Sequence, residues 1–141
     1  MADATVRVVM VYMRWLCLVP AALLAWYAAL VIGLLAHSGL DRLCPPALMV
    51  SGWCTAGWYR SASDAVICFG AALSAVLVLL AAAWVAPSSK TQVIWVTLAT
   101  GSSVAVWLGW SASAWRELTC ALAAGLLTAW LLHRRTRAPA R

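Results

Sequence analysis

Cysteine is the side chain with the most chemistry to offer in this sequence. Cys44 and Cys54 bracket a turn-rich stretch within Asp41-Arg-Leu-Cys-Pro-Pro-Ala-Leu-Met-Val-Ser-Gly-Trp-Cys-Thr-Ala-Gly-Trp-Tyr-Arg60. Two thiols so close in sequence, on the oxidising side of a membrane, are expected to form a structural disulfide. Cys68 and Cys120 each fall about one turn inside a helix that starts from that same side, at similar depth. They read as small buried hydrophobes. The alternative is a membrane-embedded thiol pair that exchanges electrons with Cys44–Cys54. Against it, there is no Cys-x-x-Cys, and no charge is placed beside either thiol to lower its pKa. Cys17, near the other side, reads as a packing thiol.

A second set of reactive side chains gathers near the same end: His37, Asp41, Arg42, Arg60, Asp64, Arg116 and Glu117. A hydrolase or metal site could be assembled from such a set. One histidine among scattered acids has no metal-ligand spacing, however, and charges at headgroup level are ordinary. The expectation is no catalytic residue, no metal and no cofactor. At the C-terminal end, His133 and the basic tail, with Arg134, Arg135 and Arg137, are expected to touch anionic lipid headgroups, at ~1 kcal/mol per residue near that surface.

The elements that must position these residues are four long apolar runs, about 15–36, 65–86, 93–110 and 118–132. Crossing a hydrocarbon core of ~30 Å takes roughly 20 apolar residues. The chain is 65% hydrophobic and 10% charged, against a soluble norm of roughly 45–50% and 25%. This predicts an all-α integral membrane protein: a single domain over 1–141, built as a four-transmembrane-helix up-down bundle. A loop over 37–63 and a basic tail over 133–141 complete it. The first run exceeds the roughly 7–15 residues of a signal h-region and reads as an uncleaved anchor. The net charge of +6 is explained by basic residues flanking membrane helices, so no nucleic acid is expected as a partner. Ala, Leu, Val and Arg are abundant while Lys and Phe each occur once. That bias follows from GC-rich codons, and a multi-pass protein of the bacterial inner membrane is the default placement.

Basic residues set the orientation, because Lys and Arg resist translocation. Arg7, Arg14, Lys90, Arg134, Arg135, Arg137 and Arg141 fall on one side, and Arg42, Arg60 and Arg116 on the other. Both termini are therefore expected in the cytoplasm, with the 37–63 loop outside. Tryptophans follow the same registration. Trp15, Trp84, Trp95 and Trp130 lie at one set of helix ends, and Trp53, Trp58, Trp110 and Trp115 at or beyond the other, where the amphipathic indole prefers the headgroup layer. Trp26 and Trp107 are left as lipid-facing or packing residues.

Local signals mark the boundaries. Ser61-Ala-Ser-Asp64 offers acceptors ahead of helix two. Ser89-Lys-Thr-Gln92 has capping-box spacing ahead of helix three, just after Pro87. Ser113 is placed to cap helix four, with Glu117 near its positive end. The short connections at 87–91 and 111–115 make helices two, three and four sequential antiparallel neighbours. Small residues recur every fourth position: Ala21, Ala25, Ala29 and Gly33 in helix one; Gly70 with Ser74 and Ala71 with Ala75 in helix two; Thr97, Gly101, Ala105, Gly109 and Ser113 in helix three; Ala121, Gly125 and Ala129 in helix four. Such stripes let backbones approach. Gly101, Ala105, Gly109 and Gly125 are the expected packing positions. No intramembrane carboxylate, His or Arg is present to carry a moving charge. The hydroxyls Thr97, Thr100, Ser102 and Ser103 are expected to bond within or between helices.

The loop displays Leu48, Met49, Val50, Trp53, Trp58 and Tyr59, which is too apolar for a freely solvated connection. It should lie on the bilayer, cap the bundle or dock on another protein. Leu48, Met49, Trp53, Trp58 and Tyr59 are the candidate partner-binding residues. The leading functional reading is a non-enzymatic membrane subunit that stabilises or assembles a larger inner-membrane complex, its partner a larger membrane protein or further copies of itself. A thiol-disulfide oxidoreductase using Cys44/Cys54 with Cys68/Cys120, in the manner of quinone-linked disulfide-forming proteins with four helices, is the alternative. A small oligomeric transporter or lipid carrier stands third. The orientation is directly testable. A membrane-impermeant maleimide applied to intact cells should label a cysteine placed at Ser51 and miss one placed at Ala140; labelling at Ala140 reverses the topology.

Overall fold

A computed structural model describes residues 2–87 and 89–137, with side chains for 10–87 and 89–136. The side chains of Arg7 and Arg137, and the whole of Arg141, lie outside the described residues. Four helices, α1 (Ala2–Arg42), α2 (Tyr59–Val85), α3 (Lys90–Ala112) and α4 (Trp115–Arg137), account for nearly all of the described backbone. Three stretches, Met10–Arg42, Tyr59–Val85 and Lys90–Ala112, are long and apolar enough to cross a membrane. The fourth helix falls short by that measure. Arg116 and Glu117 open it and His133, Arg134 and Arg135 close it, leaving only the stretch between Leu118 and Leu132 free of ionisable groups.

Every helix is longer than its apolar run. Positions 37–42 continue α1, and 59–64 already belong to α2, so the 37–63 connection shrinks to 43–58. Polar residues at the helix ends need not leave the helix, because their side chains reach outward while the backbone ladder continues. The capping expectations fail for related reasons. Ser61, Ser63 and Asp64 lie inside α2, whose N-cap is Trp58 with no side-chain cap bond. Ser89 takes the left-handed conformation (φ 50°, ψ 39°) and makes no cap bond either, so the capping box does not form. Ser113 ends α3 rather than starting α4. It sits at φ 55° while its N–H reaches Trp110 O and the N–H of Ala114 reaches Gly109 O at 2.9 Å, the paired bonds of a Schellman end. Glu117 does lie in the first turn of α4.

α2 touches all three other helices. α1 runs antiparallel along it. Gly33 meets Gly70 so closely that a Cβ built on either would stand 3.7 Å from the other's Cα, and Arg14 Nη2 donates to Trp84 O at 3.3 Å. That last bond occupies a carbonyl in the final turn of α2, where a cation also suits the dipole. α2 packs more extensively on α4, running parallel to it, than on its sequence neighbour α3, which corrects the expectation of purely sequential neighbours. Leu79, Ile94 and Ala129 form one buried cluster, flanked by Ala83, Leu98 and Leu132. Ala82, Ala86 and Val93 form another, which Leu18 of α1 joins.

The small-residue positions divide. Gly109 is buried, and a Cβ there would stand 3.1 Å from Leu118 Cδ2 and 3.3 Å from its Cβ. A Cβ at Gly125 would stand 3.1 Å from Leu98 Cδ1 and 3.7 Å from Ala75 Cβ. Ala105 is half-buried and Gly101 is exposed with nothing within 4 Å. Thr97, Leu98, Ser102 and Ala105 are half-buried and Ile94 and Gly109 buried, so of the expected stripe only Gly101 and Ser113 face outward. Of the hydroxyl group at depth, Ser103 bonds back to Ala99 O at 3.0 Å. Trp26 and Trp107 both face outward.

Overpacking a tight contact costs ~1–3 kcal/mol. Gly109→Leu should therefore lower stability by that amount in detergent unfolding, while Gly101→Leu should leave it within about 0.5 kcal/mol. Equal effects would mean that the α3 face is assigned wrongly.

Candidate functional site

The chemistry of the chain concentrates at the end where α1 stops and α2 begins. Between them Pro46–Leu48 makes a single 3-10 turn, followed by a minimal hairpin of β1 (Met49–Val50) and β2 (Trp53–Cys54). Met49 pairs with Cys54 and Val50 with Trp53. Ser51 (φ 50°) and Gly52 (φ 84°) form the two-residue turn, both at positive φ as a type I′ hairpin requires. Thr55 extends the pairing, its N–H reaching Leu48 O at 2.9 Å and its Oγ1 the same oxygen at 2.8 Å. Two-residue strands are marginal on their own. Here the Cys44–Cys54 disulfide ties the hairpin back to the end of α1, and Cys44 and Ala56 are buried at its foot.

Of the loop residues expected to be displayed, Leu48, Met49, Val50, Trp53 and Trp58 are exposed, Trp53 most of all at 76%. Tyr59 is not among them. It lies in the first turn of α2 with its hydroxyl donating to Asp41 Oδ1, and its ring stands edge-on to His37 at 6.5 Å. His37 itself bridges the two helices, with Nε2 3.1 Å from Ser63 Oγ and Nδ1 3.5 Å from Asp41 Oδ2. The helical spacing of His37 and Asp41, one turn apart, was legible. Their meeting with Tyr59 and Ser63 was not, because those two residues were assigned to a loop.

A second junction joins α2 to α4. Arg116 Nη1 lies 2.8 Å from Asp64 Oδ2, and both are exposed enough that the pair contributes ~1 kcal/mol at most. One turn further in on each helix come Cys68 and Cys120. In a parallel pair they lie at a common depth, and both are half-buried. Both are unoxidised. The thiol pair at common depth is thus present, although the hairpin disulfide is far from it. Tyr59 to Cys68 is roughly 13 Å of helix at 1.5 Å per residue. Among the described residues no group of three His, Cys, Asp or Glu side chains is arranged to hold a metal.

At the opposite end, Arg134 stacks over Trp130 with its guanidinium 3.9 Å from the ring centroid. Arg135 lines an open polar cleft of about 620 Å³ with Ser89, Lys90, Thr91, Gln92 and Thr136. No protein-family model matches this sequence, and no curated protein or solved structure matches it either.

Alkylation of the denatured chain without reductant should mark Cys17, Cys68 and Cys120 and spare Cys44 and Cys54. Brief treatment of the folded protein with copper–phenanthroline should then remove Cys68 and Cys120 from the labelled set by joining them. If those two stay alkylatable while the protein remains folded, the α2–α4 register given above is wrong.

Proposed function

We propose that this chain is a small subunit of the bacterial inner membrane, held in place by four crossing helices with both termini in the cytoplasm. Its role is to assemble with a larger membrane protein through the external hairpin. The orientation rests on the distribution of basic residues, and the crossing of α4 on its packing along α2. The observation that carries the docking role is the hairpin itself. Lipid covers the apolar faces of helices, but Val50, Trp53 and Trp58 stand on a disulfide-tied platform past the helix ends. A free loop would pay ordering entropy on binding; a cross-linked I′ hairpin has already lost most of it. Exposed Trp on a rigid base is the composition of a binding hot spot. At the other end Arg134, Arg135 and Arg137 serve as contacts for anionic headgroups.

A second reading rests on Cys68 and Cys120. Brought together, they could pass two electrons and two protons to a membrane quinone as their S–S bond forms, and then oxidise a substrate dithiol by exchange. That requires the pair to be found both oxidised and reduced in native membranes, and a pair fixed in one state removes the reading. Direct exchange with Cys44–Cys54 is disfavoured by the separation along α2.

For the docking role, a photo-crosslinking residue at position 50 should capture one membrane protein reproducibly from intact cells. Trp53→Ala should weaken that complex by about 2 kcal/mol or more, roughly 30-fold, with no change in the isolated subunit because Trp53 is already exposed. Crosslinks to a second copy would assign the hairpin to self-assembly. Crosslinks to lipid alone would overturn the docking role.

A further inference from the structure

We propose that Ser63, His37 and Asp41 form a serine-nucleophile site at the hairpin end of the bundle, acting on acyl esters presented at the membrane surface. It does not depend on the docking role and would add an activity to it.

The arrangement has the polarity that such chemistry needs. The Asp41 carboxylate lies 3.5 Å from His37 Nδ1, and a carboxylate there favours the tautomer with the proton on Nδ1. Nε2 is then left with its lone pair, and Ser63, 3.1 Å away on another helix, donates its hydroxyl proton to it. A hydroxyl on one ring nitrogen and a carboxylate on the other is the nucleophile–base–orienter relay of acyl-transfer sites. The Tyr59 hydroxyl donates to the other carboxylate oxygen and fixes Asp41 in turn.

The behaviour of the other hydroxyls argues against a purely structural tie. Ser74, Ser103, Ser111, Thr119, Thr128 and Thr136 all bond a carbonyl three or four residues back in their own helix. That is the ordinary fate of a helical hydroxyl. Thr91 and Thr136 also meet across helices, at 3.4 Å, but as two hydroxyls; Ser63 instead reaches across to an imidazole. His37 is 36% exposed, so the ring is open to a substrate from outside the bundle. Ser63 lies in the second turn of α2, and its Cβ tilts toward the helix start. There the N–H groups of Arg60 and Ser61 have no backbone partner among the described residues, and the positive end of the helix favours a developing oxyanion. Exposed Leu43 and Trp58 at the same end suit an apolar acyl chain.

The reaction balances without a cofactor. Ser63 Oγ bonds the acyl carbon as its proton passes to His37 Nε2. The bond from that carbon to the alcohol oxygen breaks, and His37 returns the proton to the departing alcohol. Water then adds to the acyl-serine as His37 takes its proton; the bond from the acyl carbon to Ser63 Oγ breaks, His37 returns the proton to Oγ, and the carboxylic acid leaves.

The full-length protein in detergent micelles, treated with a fluorophosphonate probe, should acquire one covalent label, mapped to Ser63 by mass spectrometry. Ser63→Ala should abolish it, and His37→Gln should slow it by at least about 100-fold, the usual scale of a general base. Ser74→Ala should label normally. Asp41 acts through His37 as a positioning residue, so Asp41→Asn should slow labelling and Asp41→Glu should restore most of it. Release of p-nitrophenol from a short-chain ester should follow the same order. Wild-type protein that is folded, with Cys44–Cys54 intact, yet takes no label at Ser63 overturns the proposal. So does labelling at Ser63 that is unchanged by His37→Gln.

Discussion

Hydrocarbon offers no partner to a peptide N–H or C=O, so each segment that enters a bilayer must close its own backbone bonds, and a helix does so. What remains is to make helices adhere in a solvent as apolar as their side chains. Dispersion contacts between closely approaching backbones supply much of that adhesion. In this chain those contacts converge on α2. Gly70 faces Gly33 of α1, Ala75 lies against Gly125 of α4, Leu79 anchors a buried cluster with α3 and α4, and Ala82 one with α3 that Leu18 of α1 joins. The core is therefore thin and half of it is alanine; among the described residues Leu79 and Ile94 are the large side chains almost fully withdrawn from the surface. Most large apolar side chains face outward, where a bilayer rather than water would meet them.

Much of this was legible in the sequence. The helical class, the number of helices, the inward stripe of α1 through Ala21, Ala25, Ala29 and Gly33, and the pairing of Cys44 with Cys54 all follow from periodicity, length and spacing. The misses share a cause. Hydropathy marks where a helix stops being apolar, not where it stops being a helix, so the apolar runs alone leave 37–42 and 59–63 in a loop. That error hid the cluster of His37, Asp41, Tyr59 and Ser63, whose members meet only if both segments are helical. Gly101 was misassigned because α3 carries small residues on more than one face, and only the neighbouring helices decide which face is inward. Val-Ser-Gly-Trp was a readable hairpin signal, a small turn pair between β-formers, obscured by the prolines before it.

The two ends of the molecule are unlike in kind. One holds the chain by physical means: Arg14 on the last turn of α2, Arg134 against Trp130, and an open basic cleft. The other is covalently braced and chemically dense, with a disulfide, an ion pair, two thiols at one depth and an imidazole between a hydroxyl and a carboxylate. Rigidity and reactivity coincide there for a common reason. The hairpin disulfide ties the loop back to the end of α1 just before the start of α2, and those two helix ends supply the four residues around His37.

The parallel contact between α2 and α4 bears on how the molecule is made. Residues such as Asp64 and Arg116 are far apart in the chain, and the helix between them must be made before they can meet. A ribosome releases α1 and α2 first, and these can settle against each other at once along Gly33 and Gly70. The larger remaining face of α2 stays unpaired until α4 has been synthesised. Biogenesis therefore ends with its most consolidating step. During translation the nascent protein passes through a half-assembled stage in which α2 presents an unclaimed seam to whatever insertase or chaperone shares the membrane.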